Sequence, residues 1–169
     1  MVDPRPDRGL PEDIMRLLST PSRLYGTLAL AEMVTWTLLL LGMLLKYGLH
    51  ATEVMVRIGG SLHGFVFLAY VVVTVLVAID QRWRPADLLL GIGSAFVPYL
   101  TLPFERWVRR RGLLAESWRL RAEDGRTLPE RLVALALRRP LLAGLVALVV
   151  IAVVFSLLLM AGPPTEWFA

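Results

Sequence analysis

Three ionisable side chains stand where few should. Glu32 and His63 lie inside long apolar runs, and Lys46 closes the first of them. An acidic side chain at mid-helix in a bilayer costs about 2.5–3.5 kcal/mol on insertion scales, so Glu32 must face protein or water rather than lipid. A carboxylate, an imidazole and an ammonium at such depths could relay a proton or hold a cation. The plainer reading is a hydrogen-bonded set that fixes helix packing, and a single buried carboxylate favours it. Glu32, Thr35, Leu39, Gly42 and Lys46 recur at three-four spacing and share one helix face. In the next apolar run the same spacing joins Gly60, His63, Phe67, Tyr70 and Thr74. If the two runs pair as antiparallel helices with level ends, a rise of about 1.5 Å per residue puts Glu32 opposite Val71. Tyr70 and Thr74 then become its expected partners, and His63 falls near Gly42 and Lys46. The candidate polar network is therefore Glu32, Thr35, Lys46, His63, Tyr70 and Thr74.

The elements that position these residues can be read from hydropathy. The chain has 169 residues, 56% of them hydrophobic, against about 45–50% in a soluble domain. The apolar residues form blocks near the twenty-odd that a helix needs to cross a bilayer. An all-α integral membrane fold with about four spans is expected: about 24–45, 58–79, 88–104 and 141–161. The third is short and carries Gly91, Gly93, Pro98 and Pro103, so it reads as a kinked span, with a re-entrant segment as the alternative. Residues 1–23 form a polar, proline-rich tail, 24–104 the three-helix membrane core, 105–140 an arginine-rich amphipathic linker, and 141–169 a last span and short tail. Thr127 and Glu130 have capping-box spacing. Pro163-Pro164 stop the last helix, and Trp167-Phe168 suit an interface.

Positive residues mark the cytoplasmic side, which places 105–140 in the cytoplasm of a multi-pass protein. If the third segment spans, the 18 Lys and Arg divide twelve inside and six outside; if it re-enters, sixteen and two. Charge favours the re-entrant form and apolar length favours four spans, which is the leading expectation.

Small residues allow helix backbones to approach in lipid. Gly42, the Gly60–Gly64 step, Gly91 and Ala95 are the expected packing positions, with homodimerisation as the lesser use. Arg109, Arg110, Arg111 and Trp118 suit contact with anionic lipid or a partner protein. Nucleic acid is not expected, because Glu105, Glu116, Glu123, Asp124 and Glu130 interrupt the basic run. With no cysteine and only His50 and His63, no metal or other cofactor is expected, and one chain offers no good axial pair for haem. GxSxG, HExxH, P-loop and GxGxxG motifs are absent, so no enzyme is expected.

Glu32, Leu45-Lys46-Tyr47, Gly59 through His63-Gly64, and VPYLTLPFERW at 97–107 together resemble a small bacterial integral-membrane family, domain of unknown function 3817. The resemblance covers about residues 23–111. Met33 departs from a usual glycine, Leu44 from a nearby proline and Tyr99-Leu100 from a Phe-Gly pair. The resemblance implies three hydrophobic segments in a bacterial cytoplasmic membrane, with the arginine-rich linker and last helix as an addition. It implies no activity. A non-catalytic accessory or scaffolding subunit is the leading expectation. A small ion- or proton-coupled transporter using Glu32 and His63 is the alternative, and a haem- or quinone-binding redox accessory stands third.

Overall fold

Helix formation is the only way a lipid-exposed chain of this kind can satisfy its backbone polar groups without closing a barrel. The computed structural model describes residues 20–160, with the side chains of Leu158 and Leu159 excepted, and among them there are helices and no strand. The tail residues before Thr20, Pro163-Pro164 and Trp167-Phe168 lie outside the described residues. Helix α1 (Pro21–Met43) opens with Thr20, whose hydroxyl accepts from the Arg23 N–H, and with proline in the first turn. It runs on through a π-helical turn, Leu44–Gly48. Helix α2 is Val54–Asp80, α3 Pro85–Ser94, α4 Thr101–Arg110, α5 Arg119–Ala122, α6 Leu128–Arg138 and α7 Pro140–Met160.

The all-helical membrane architecture expected from the sequence is present, but residues 88–104 do not form one span. Three stretches among the described residues are long and apolar enough to cross a bilayer: Pro21–Gly48, Val54–Asp80 and Pro140–Leu157. Helices α3 and α4 have 10 residues each, so each reaches only about 15 Å into a core about 30 Å thick. They fold back on one another. Pro98 offers no N–H, and the chain turns over residues 95–100 with Tyr99 at φ +67°. Phe104 returns beside Gly91, where an added Cβ would stand 3.1 Å from its ring. Pro103 falls in the first turn of α4, where its missing N–H costs little.

The tip of this hairpin is held well inside the length of α1. The Trp36 indole N–H donates to the Ala95 carbonyl at 3.3 Å, Thr37 and Tyr99 hydroxyls lie 3.4 Å apart, and Phe67 and Phe96 meet edge-on at 5.0 Å. Its mouth lies beside the start of α1 and the end of α2. Arg109 donates to the Ser22 carbonyl at 3.3 Å, and the Trp83 indole to the Leu113 carbonyl at 2.8 Å. From Ser22 to Trp36 is about 21 Å along the helix axis, so the hairpin re-enters and leaves on one side. That end collects Arg23, Arg82, Arg84 and the arginines of 106–139; Lys46 and Arg57 lie at the other.

Between the hairpin and α7, residues 111–139 fold into a cap that carries α5 and α6. Asp80, fully buried at the end of α2, accepts the backbone N–H groups of Arg119 (3.2 Å) and Leu120 (2.9 Å) and so caps α5. Arg119 donates to the Asp80 carbonyl at 2.6 Å and to Glu130 at 2.7 Å. Glu130 also completes the capping box with Thr127. The N–H of Arg126, then the Arg119 guanidinium, hold the Glu130 carboxyl at about 2, below its ordinary 4.5. Trp118, expected to contact the membrane surface or a partner, is instead buried in the core with Tyr25, Trp83 and Phe104, because the Asp80 cap draws its stretch of chain inward.

Cysteines placed at exposed Ala51 and Glu116 should react with an impermeant thiol reagent from opposite faces of the membrane; reaction from the same face would restore four spans. The Glu130 cap makes a second demand. A carboxylate whose pKa is depressed on folding stabilises above its unfolded value and loses that contribution as pH falls through its folded value. The melting temperature in mild detergent should therefore fall more steeply between pH 4.5 and about 2 for the native chain than for Glu130→Gln. Parallel slopes would remove the ionic part of the cap.

Candidate intramembrane polar site

The site is built on the α1–α2 pair. Gly42 faces the backbone of Met55 and Val56, where a Cβ would come within 2.6–2.7 Å, and Gly59 faces the backbone of Leu38 at 2.9 Å. No larger residue fits at either place without separating the helices. These two approaches set the register: Gly42 is level with Val56, and Thr35 meets His63 at 3.4 Å. The level-ends pairing of Glu32 with Val71 is therefore displaced. Helix α1 overshoots the start of α2 through its π-helical turn, and the chain doubles back through His50 at φ +51°.

Glu32 lies about 15 Å below the arginine-rich end, near the middle of a bilayer core. Its side chain is completely buried, and Oε2 stands 3.6 Å from Nδ1 of His63. Neither carboxyl oxygen has a hydrogen-bond partner. Thr35 spends its hydroxyl on the Glu32 carbonyl at 3.1 Å and on the His63 contact. The imidazole sits 4.3 Å from the Trp36 ring and 6.2 Å from Phe67, centre to centre. A carboxyl and an imidazole so placed can hold one proton between them, with little water to compete.

Tyr70 and Thr74 do not join Glu32. They form a second network nearer the arginine-rich end. The Tyr25 and Tyr70 hydroxyls lie 2.7 Å apart, Tyr70 and Ser94 3.1 Å, and Thr74 donates to the Tyr70 carbonyl at 2.7 Å with its oxygen 3.5 Å from the Tyr25 hydroxyl. This network ties α1, α2 and α3 together. Lys46 joins neither set; it pairs with Glu53 at 3.3 Å in the connector. Gly60 meets only the end of the Leu39 side chain, whereas Gly64 receives Phe155 of α7 at 2.9 Å. Gly91 is pressed by Thr74 and Phe104, and buried Ala95 presents its carbonyl to Trp36. Arg109 pairs with Glu105 at 2.5 Å, Arg111 lies over the Trp107 ring at 4.4 Å, and Arg110 is exposed.

Tyr25, Trp36, Asp80 and Ser94 are contributors that sequence reasoning missed. Ala29 and Tyr25 continue the Glu32–Thr35 face one and two turns earlier, so a longer stripe would have found Tyr25. Asp80 reads as an ordinary polar helix end, and nothing local marks it as a cap for a helix 39 residues away. Among the described residues no group of three His, Asp or Glu could hold a metal ion.

Apolar spanning helices, a re-entrant hairpin and a buried polar site between the first two spans define a multi-pass helical membrane protein. The chain belongs to the family described as Domain of unknown function (DUF3817), which matches residues 22–110. That match takes in α1, α2 and the whole hairpin. Over 95 residues the chain is 44% identical to a Streptomyces coelicolor protein named only as a membrane protein, covering 56% of this chain. The matched part is 11% of that relative's length. No solved structure matches.

The two networks differ in what they contribute to stability. Tyr25→Phe removes a buried hydroxyl pair and should cost about 1 kcal/mol. Glu32→Gln removes a carboxyl that makes no hydrogen bond and should change stability by less than half as much. Unfolding in mild detergent compares them; a larger cost for Glu32→Gln would make Glu32 a structural anchor.

Proposed function

We propose that this chain is a non-catalytic accessory or scaffolding subunit of an assembly in the bacterial cytoplasmic membrane, with its arginine-rich end in the cytoplasm. The observation that carries the reading is the one-sided charge produced when the hairpin folds back. Every described arginine but Arg57 stands at the hairpin-mouth end, which is the asymmetry that orients membrane proteins. Those arginines rest on the anionic leaflet, and the folded cap of α5 and α6 offers a surface to a cytoplasmic partner. The relative in which the matched region is 11% of the length supports a unit that works beside other protein parts.

A second reading, a small proton-coupled carrier, is favoured by the unpartnered oxygens of Glu32 beside His63. A buried ionisable group within a span is a usual mark of a proton path.

Purification in a gentle detergent should yield a homo-oligomer or a stoichiometric partner, and a cysteine at Glu116 should react only after cells are permeabilised. A lone monomer with no partner would overturn the scaffolding role. In reconstituted vesicles, pH-driven flux lost in Glu32→Gln would favour the carrier instead.

A further inference from the structure

Glu32 ends a line of polar side chains that begins at the arginine-rich end. Buried Glu105 stands over the first turns of α1, where a Cβ on Gly26 would lie 3.5 Å from its Oε1. It pairs with Arg109, whose side chain is half-exposed. The Glu105 charge bears on Tyr25. Inward from Tyr25 the hydrogen bonds have a direction. Ser94 gives its proton to the Gly91 carbonyl at 2.7 Å, so Tyr70 donates to Ser94 and Tyr25 donates to Tyr70. The register that meets Thr35 with His63 puts Glu32 level with Val66. Glu32 thus lies between His63 and Tyr70, about 4.5–6 Å along the axis from each, and its charge bears on Tyr70. Thr35 donates to the Glu32 carbonyl and so only accepts at His63, which places a hydrogen on Nδ1 beside the Glu32 carboxyl. Toward the other membrane face the seam closes. Gly59 lies against the backbone of Leu38 and Gly42 against that of Met55 and Val56, and Lys46 beyond them is engaged with Glu53.

We infer that Glu32 is a proton-binding site loaded from the arginine-rich face alone, through the hydroxyls of Tyr25 and Tyr70. Neither Glu32 oxygen is held by a hydrogen bond, so the carboxyl turns from His63 to Tyr70 without breaking one. The proton arrives from water at Glu105 and Arg109. Tyr25 takes it on its oxygen while releasing its own proton to Tyr70. Tyr70 does the same toward Glu32. Both tyrosines end neutral, and the carboxylate becomes a carboxylic acid. The titratable groups that face Glu32 from α2 are His63 and Tyr70. The hairpin offers Ser94 and Thr101 to this seam, and its charged residues, Asp87 and those of 105–110, stand at the mouth. With the seam closed beyond His63, the proton leaves by the way it came. The site goes beyond the scaffolding role and rests on the carrier reading only in taking Glu32 to exchange a proton.

Infrared spectroscopy of the full chain in phosphatidylglycerol vesicles tests it. A carboxylic-acid C=O band that is lost in Glu32→Gln should be present at low pH. Transfer to heavy water shifts this band as the carboxyl proton exchanges, which gives the exchange rate. Tyr25→Phe and Tyr70→Phe each remove a relay hydroxyl and should slow exchange about tenfold or more. Heavy water reaches both faces of the membrane, so that slowing excludes entry from the other one. Thr74→Val removes a hydroxyl of the same network that is not on the line. It should cost stability yet leave the exchange rate within about twofold. Unchanged exchange in Tyr70→Phe overturns the proposal, as does equal slowing in Thr74→Val or the absence of a Glu32 band at every pH. Exchange without pH-driven flux removes the carrier and leaves this site. Flux that survives Tyr70→Phe removes this site and leaves the carrier.

Discussion

The close approach of α1 to α2 governs the rest of the molecule. Lipid tails are as apolar as the helix surfaces, so hydrophobic burial does little to drive the pairing, and contact between backbones must do more. Gly42 against Met55 and Val56, and Gly59 against Leu38, supply that contact. Once those depths are matched, Thr35 and Glu32 fall beside His63, and Tyr25 falls beside Tyr70. A shift of one helical turn would separate both pairs. The polar site is thus a consequence of two glycines lying one to three turns away from it.

The hairpin of α3 and α4 completes the pair from one side. Its turn lies at a depth where irregular backbone survives only with protein partners. Trp36 answers the Ala95 carbonyl, and Thr101 donates to the Ala29 carbonyl at 3.1 Å. Ser94 brings α3 into the tyrosine network. Because the hairpin enters and leaves by the same face, Arg84 and the arginines from Arg106 onward stand together with Arg23. Charge asymmetry and hairpin geometry are one feature seen at two scales.

Asp80 organises the chain beyond the hairpin. A buried carboxylate at the end of α2 is tolerable because two backbone N–H groups of α5 donate to it. Arg119 carries the connection on to Glu130 and so to the start of α6. The arginine-rich stretch becomes a cap with its own small core of Leu120, Val133 and Ala134, and α7 is launched from it. α7 itself buries little of its surface in the protein, which leaves a groove beside α2.

Hydropathy alone was enough to establish a helical membrane protein and the approximate extents of α1, α2 and α7, because crossing lipid demands a long apolar run whatever the neighbours. Motif spacing was enough for the Thr127–Glu130 capping box and for the family, since both are local in the chain. Glu32, Thr35 and His63 were legible as a set from the rarity of polar groups in such runs. Their pairing was not. It depends on relative helix depth, which the connector does not reveal, because α1 overshoots before the chain returns. Nor could residues 88–104 be resolved by length, since a short span and a hairpin have the same composition; the packing of Phe104 on Gly91 and of Trp36 on Ala95 decided it. Trp118 and Asp80 show the same limit. Their roles belong to contacts between distant segments, and only the tertiary structure brings those segments together.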